Sequence, residues 1–193
     1  LFSIFAVVYF QSTDSISRYG MKFLFSSSWN PVTDEYGAFT AIYGTLFTSI
    51  ASLLIAIPLG VGTAIFITEN LIPKYFRNII GLMVELLAAI PSVVLGLWAV
   101  FIMEPFIRPF LNTIYKTFGF IPFFGTQPLG AGMMPAILIL VVMILPIITS
   151  ISKDSLYQVP KKLRQAAYGI GASRWTTIFK VIIPAAISGI TGG

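Results

Sequence analysis

Few residues in this sequence are equipped for chemistry. Its 193 residues include no histidine and no cysteine, which removes imidazole bases, thiolate nucleophiles, disulfides and most zinc or haem ligand sets. The run "GIGAS", Gly169 to Ser173, lacks the lysine and spacing of a phosphate-wrapping loop, so no bound nucleotide is expected. One carboxylate, Glu85, falls well inside an apolar run. Burying a carboxylate in lipid costs several kcal/mol, which makes Glu85 a candidate for a transport path, although pairing with Arg77 is the favoured reading. Arg108 lies in the third loop, Glu104 to Gly130, which is rich in Phe, Pro and Gly; it is a gate candidate, although an interfacial re-entrant or surface helix is the favoured reading. Thr48 and Ser52 belong to a set of small residues with Thr45, Ser49, Gly60 and Ala64. Such a face suits close helix packing first and a translocation path second.

The stretch "QAAYGIGASRWTTIFKVIIP", Gln165 to Pro184, stands apart from its apolar surroundings. Pro160 suits an early helical position, where its missing N–H costs nothing. Leu163, Ala166, Ala167 and Ile170 then follow at i, i+3, i+4 and i+7, one apolar stripe. Gly171 is placed for a left-handed C-terminal cap. Ser173 caps the next helix, and Trp175 suits the membrane interface. An alanine-faced helix buries too little area for lipid and suits close approach to another protein. Lys161, Lys162 and Arg164 flank the stripe and are expected to meet headgroups or acidic rims.

The elements that position these residues follow from composition. The chain is 56% hydrophobic and 10% charged, with mean hydropathy +0.90, whereas a soluble domain carries roughly a quarter charged residues. It reads as an all-α integral membrane protein, a polytopic helical bundle. Apolar runs at 38–68, 79–103 and 131–152 each meet the ~20-residue length of a span. With partial runs at 1–10 and from Thr177 onward, five membrane segments are expected, two of them incomplete in a chain read as a fragment. Basic residues concentrate in the loops 69–78 and 153–176, which places both at the cytoplasmic side. The net charge of +5 sits at the ends of apolar runs, which fits lipid headgroups and not nucleic acid.

The stretch from Gln165 also resembles the EAA loop of ABC importer permeases. That loop has E-A-A, three residues, Gly, nine residues, then I-x-L-P. Here Gln165-Ala166-Ala167, Gly171 and Val181-Ile182-Ile183-Pro184 fall in register, with Gln in place of the first Glu. The blocks "SSWNPVTDEYGAFTAIYGTLFTS" and "VELLAAIPSVVLGLW" look like PstC-type permeases of phosphate importers. The resemblance implies a type I ABC importer permease fold, with about five of six membrane helices in this chain. It also implies a first segment at 1–37 and a transmembrane type-1 domain at 38–193, continued beyond Gly193 in the family by a helix bearing Arg and Glu.

By the same resemblance the chain has no catalytic role and binds no cofactor of its own. ATP and magnesium belong to a PstB-type ATPase dimer. Gln165, Ala166, Ala167 and Gly171 are its docking residues. A PstA-type permease completes the pore, and a PstS-type protein delivers phosphate, in the cytoplasmic membrane of a bacterium or archaeon. Charge pattern alone does not choose phosphate over molybdate, sulfate or an amino acid. An ion-coupled secondary transporter is disfavoured, because such proteins place paired ionisable groups or unwound helices at mid-membrane.

Overall fold

The computed structural model describes residues 2–69, 71–120, 127, 130 and 132–191. Parts of the expected third loop, and the Gly192-Gly193 pair, lie outside the described residues. The chain divides into two compact units, Leu1–Phe47 and Thr48–Gly193.

The first unit contains helix α1 (Phe2–Tyr19), the single turn α2 (Lys22–Phe25) and a short hairpin of β1 (Trp29–Asn30) and β2 (Glu35–Tyr36). The strands pair antiparallel, Trp29 opposite Tyr36 and Asn30 opposite Glu35. Asn30 starts the turn by accepting a hydrogen bond from the Val32 amide at 3.0 Å, the local bond that favours Asn in turns. Arg18 and the phenol of Tyr19 both reach Asp34. Partial burial pushes the Tyr19 phenol above its ordinary pKa, against the lowering pull of Arg18.

Helix α3 (Phe39–Thr68), which belongs to the second unit from Thr48 on, and α7 (Met133–Gln158) are both long and apolar enough to cross a membrane. Ser52, Ala56, Gly60 and Ala64 are buried at every fourth position of α3, the spacing of one helix face. Of the small residues expected to pack, Ser52, Gly60 and Ala64 lie on this face, Thr48 and Ser49 are half-buried and Thr45 is exposed; Ala56 adds to them. A Cβ added to Gly60 would meet Ile148 Cγ2 at 2.7 Å, whereas one at Gly62 would meet nothing within 4 Å.

The expected span at 79–103 is corrected. Helix α4 (Lys74–Ala89) stops before Pro91, with Ile90 extended at φ −77°, ψ 125°. Proline disfavours helical ψ in the residue before it, which suits a break at Ile90. The third helix able to cross runs instead from Ser92 to Phe118. It comprises α5 (Ser92–Trp98), a π-helical turn at Ala99–Met103 and α6 (Glu104–Phe118). By length and composition three helices qualify among the described residues, against five expected segments. Residues 104–118, expected in the third loop as an interfacial re-entrant or surface helix, are helical and continue this span. The π-helical turn comes just before Pro105, where the ladder loses a donor.

Past α7 come α8 (Lys161–Gly169), α9 (Arg174–Thr177), a second π-helical turn at Ile178–Ile182 and α10 (Ile183–Thr191). This turn also ends just before a proline, Pro184. Leu156, Ile178 and Ile182 are fully buried and join Ala64, Ile65, Val159 and Ala186 in one apolar cluster.

The close approach at Gly60 yields a test. Gly60→Val forces Ile148 aside and is expected to destabilise the purified protein by about 1–3 kcal/mol. Gly62→Val, with open space around its Cβ, is expected to cost markedly less. Thermal unfolding of both in one detergent checks the difference.

Candidate functional site: the helix between α7 and α10

Helix α8 begins at Lys161 because Pro160, at φ −58° and ψ 134°, cannot continue α7. Its end is a Schellman cap. Ala172 donates its amide to Ala167 O at 3.0 Å and Gly171 donates to Tyr168 O at 3.0 Å. Gly171 stands at φ +81°, a conformation that strains any residue with a Cβ. Ser173 then accepts from the Thr176 amide at 3.2 Å and starts α9. Gly171 and Ser173 therefore act as the sequence indicates, whereas Pro160, expected at an early helical position, stands just before the helix as its N-cap.

The phase of the helix differs from the expected stripe. Ala167 is 5% exposed, whereas Leu163 and Ala166 are exposed and Ile170 is 87% exposed. The side facing the bundle is Arg164 plus Ala167, at i and i+3. Arg164, expected to meet headgroups or acidic rims, is turned inward. Its Nη2 donates to Glu69 Oε1 at 2.8 Å and to Leu156 O at 2.9 Å, and its Nη1 donates to Val159 O at 2.8 Å. Glu69 follows α3, so one guanidinium joins the end of α3, the end of α7 and α8. A cation at the carbonyl end of α7 also suits the helix dipole. Gln165, Ala166 and Gly171 are left on exposed surface, and Lys161 and Lys162 are exposed.

The other candidates disperse. Glu85 lies on α4, outside the three candidate spans. Its Oε1 is 3.6 Å from Lys153 Nζ, so the ion-pair reading stands with Lys153 as the partner seen. Arg108 is paired with a carboxylate that the sequence reading passed over. Its Nε donates to Glu104 Oε1 at 2.8 Å and its Nη2 to Oε2 at 2.7 Å. Glu104 is 6% exposed. Its i, i+4 spacing from Arg108 is the signal available in the sequence. Reading the prolines as loop hid it. Thr48 is half-buried. Ser52 is fully buried and donates to Ser49 O at 2.9 Å, as hydroxyls in apolar helices do. Nothing gathers Glu85, Arg108, Thr48 and Ser52 into one site. Among the described residues no group of three or more His, Cys, Asp or Glu could hold a metal.

Residues 56–193 match the family described as binding-protein-dependent transport system inner membrane component. The chain belongs to this family. It is an integral component of the inner, cytoplasmic membrane, with the all-α permease fold. Similar proteins include the phosphate transport system permease protein PstC of Mesorhizobium japonicum, 46% identical over 94% of this chain and 57% of that protein. The PstC of Pasteurella multocida is 39% identical over the whole of this chain and 62% of its own length. The chain thus spans about 57–62% of these relatives. A solved structure of the MetNI methionine ABC transporter, facing inward, aligns with TM-score 0.54 at 22% identity, covering 81% of this chain and 63% of that one. That likeness concerns the fold.

The cap at Gly171 makes a sharp test. Gly171→Ala places a Cβ in the left-handed region at a cost of about 1–2 kcal/mol, and Gly171→Asn is expected to lose less. Thermal unfolding, with trypsin cleavage at Arg174 as a local readout, should rank wild type first, Asn second and Ala last.

Proposed function

We propose that this chain is the membrane-spanning permease subunit of an ATP-driven importer carrying inorganic phosphate inward across the cytoplasmic membrane. Its transport unit is taken as residues 38–193. Family membership supports the permease role, and the PstC proteins among its relatives support phosphate. The observation that carries the reading is the two-sided build of α8. One side is tied to the bundle through Arg164, and the other presents Gln165, Ala166 and the largely exposed Ile170 to a partner.

In this reading a PstB-type ATPase dimer, which holds ATP and magnesium, receives α8 in a groove. Ala166 permits close backbone approach there, and Ile170 supplies apolar area. Gly171 ends the helix so that the chain can turn back to the membrane. Gln165 offers amide hydrogen bonds where the EAA pattern has a carboxylate. Ala167 belongs to the inner side of α8 and supports the docking face from beneath. A PstA-type permease completes the path and a PstS-type protein delivers phosphate from outside. Closure of the ATPase dimer pulls α8, and the bundle alternates between its two openings. Glu85, Arg108, Thr48 and Ser52 act in packing and ion pairing and need not touch phosphate.

Reconstitution of the full-length permease with its ATPase, second permease and binding protein tests this. ATP-dependent phosphate uptake is expected, unchanged by equal molybdate or sulfate. Ala166→Trp should lower both co-purifying ATPase and uptake at least tenfold while leaving thermal stability near wild type. Unaltered uptake from Ala166→Trp would remove α8 as the docking helix.

A further inference from the structure

Helix α8 has little to hold it by packing. Ala167 is its one buried residue, so a single methyl carries the burial of a nine-residue helix. Each end is a joint outside helical geometry, Pro160 at φ −58°, ψ 134° and Gly171 at φ +81°. A force applied to such a helix would swing it about the two joints, unless side chains tie it to the bundle. Arg164 supplies that tie. Its three bonds, all between 2.8 and 2.9 Å, reach Glu69 beyond α3 and the Leu156 and Val159 carbonyls at the end of α7. Side-chain exposure is 19% for Arg164 and 7% for Glu69, so water and salt screen the pair weakly. A planar guanidinium holds several acceptors at fixed angles, which an ammonium on a flexible stem does not.

We propose that Arg164 and Glu69 are a positioning pair that transmits displacement of α8 to α3 and α7. The proposal rests on the reading of α8 as the helix that an ATPase engages. Rigid elements with two discrete arrangements carry coupling between distant sites. The latch makes α8, the end of α3 and the end of α7 one such element. Without it the ATPase still docks on Gln165, Ala166 and Ile170 and still hydrolyses ATP, but α8 turns on its joints and the bundle stays put. Loss of the pair therefore uncouples hydrolysis from transport without preventing assembly.

The test uses the full-length permease assembled with its partners in lipid vesicles, with phosphate uptake and ATP hydrolysis measured together. Glu69→Gln keeps the volume and removes the charge, and Arg164→Lys keeps the charge and removes the fork. For both, the ATPase is expected to co-purify in wild-type amount and hydrolysis to stay within twofold. Phosphate moved per ATP should fall at least tenfold. These 193 residues contain no cysteine, so a Glu69→Cys, Arg164→Cys pair adds unique thiols to them. Bridging that pair with a bis-methanethiosulfonate should restore at least fivefold in phosphate per ATP. Unchanged phosphate per ATP in both variants overturns the proposal, as does no recovery on bridging. Loss of assembly in both assigns the pair to folding alone and overturns it too. A wild-type complex that retains no ATPase subunit counts instead against the docking reading.

Discussion

The Arg164 guanidinium is the constraint on which the α8 end of the helical bundle depends. A cation removed from water is costly unless its protons are all directed at acceptors. Here Glu69 neutralises it, and two carbonyls at the end of α7 take further bonds. The arrangement also serves the end of α7, where Leu156 O otherwise has the long 3.4 Å bond from the Val159 amide. Beneath it lies the apolar cluster of Leu156, Ile178 and Ile182, which excludes water and strengthens the ion pair. The two basic loops, separated by a long stretch of chain, meet at one end of the bundle because this pair joins them.

Backbone economy in an apolar setting explains the remaining irregularities. Each proline in a helix removes a donor, and lipid offers no water to replace it. Pro58, Pro109 and Pro146 stand inside helices, and at four other prolines the protein answers in three ways. Pro91 ends a helix outright, leaving α4 as a segment of 16 residues, about 24 Å long and short of a span. Pro105 and Pro184 follow π-helical turns, where the ladder is already re-spaced. Pro135 sits in the first turn of α7, where its N–H would have no partner in any case. The final Pro184 of the loop pattern thus has a structural role: it sits where α10 resumes after the π-helical turn.

Helix α8 works because its two sides have different duties. Inward, Arg164 and Ala167 combine a strong directional tie with a residue small enough to lie flush. Outward, Gln165, Ala166 and Ile170 leave a surface with little charge, flanked by Lys161 and Lys162. On the proposed reading that outer surface is where a partner's force arrives, and the inner side sets how faithfully the bundle follows. Glu104 and Arg108 form another ion pair, within one helix, which stiffens that helix.

The membrane class, the limits of α8, the left-handed glycine at its end and the Ser173 cap were all legible from the residues themselves. Each depends on neighbours within a few positions: a missing N–H at Pro160, a missing Cβ at Gly171, a hydroxyl beside free amides at Ser173. The small-residue face of α3 was legible for the same reason, since period alone defines it. Three matters were not. The span moved from 79–103 to Ser92–Phe118, because apolar content does not say whether a proline breaks a helix or is absorbed by a π-helical turn. Glu104 went unseen for the same reason. The orientation of α8 depended on Glu69, 95 residues away from Arg164. The apolar stripe of α8 did not fix its facing, because a carboxylate distant in the chain draws Arg164 inward and turns Leu163, Ala166 and Ile170 outward. Local stereochemistry is written in the sequence near each residue, whereas the pairing of charges across the bundle exists only once the helices have met.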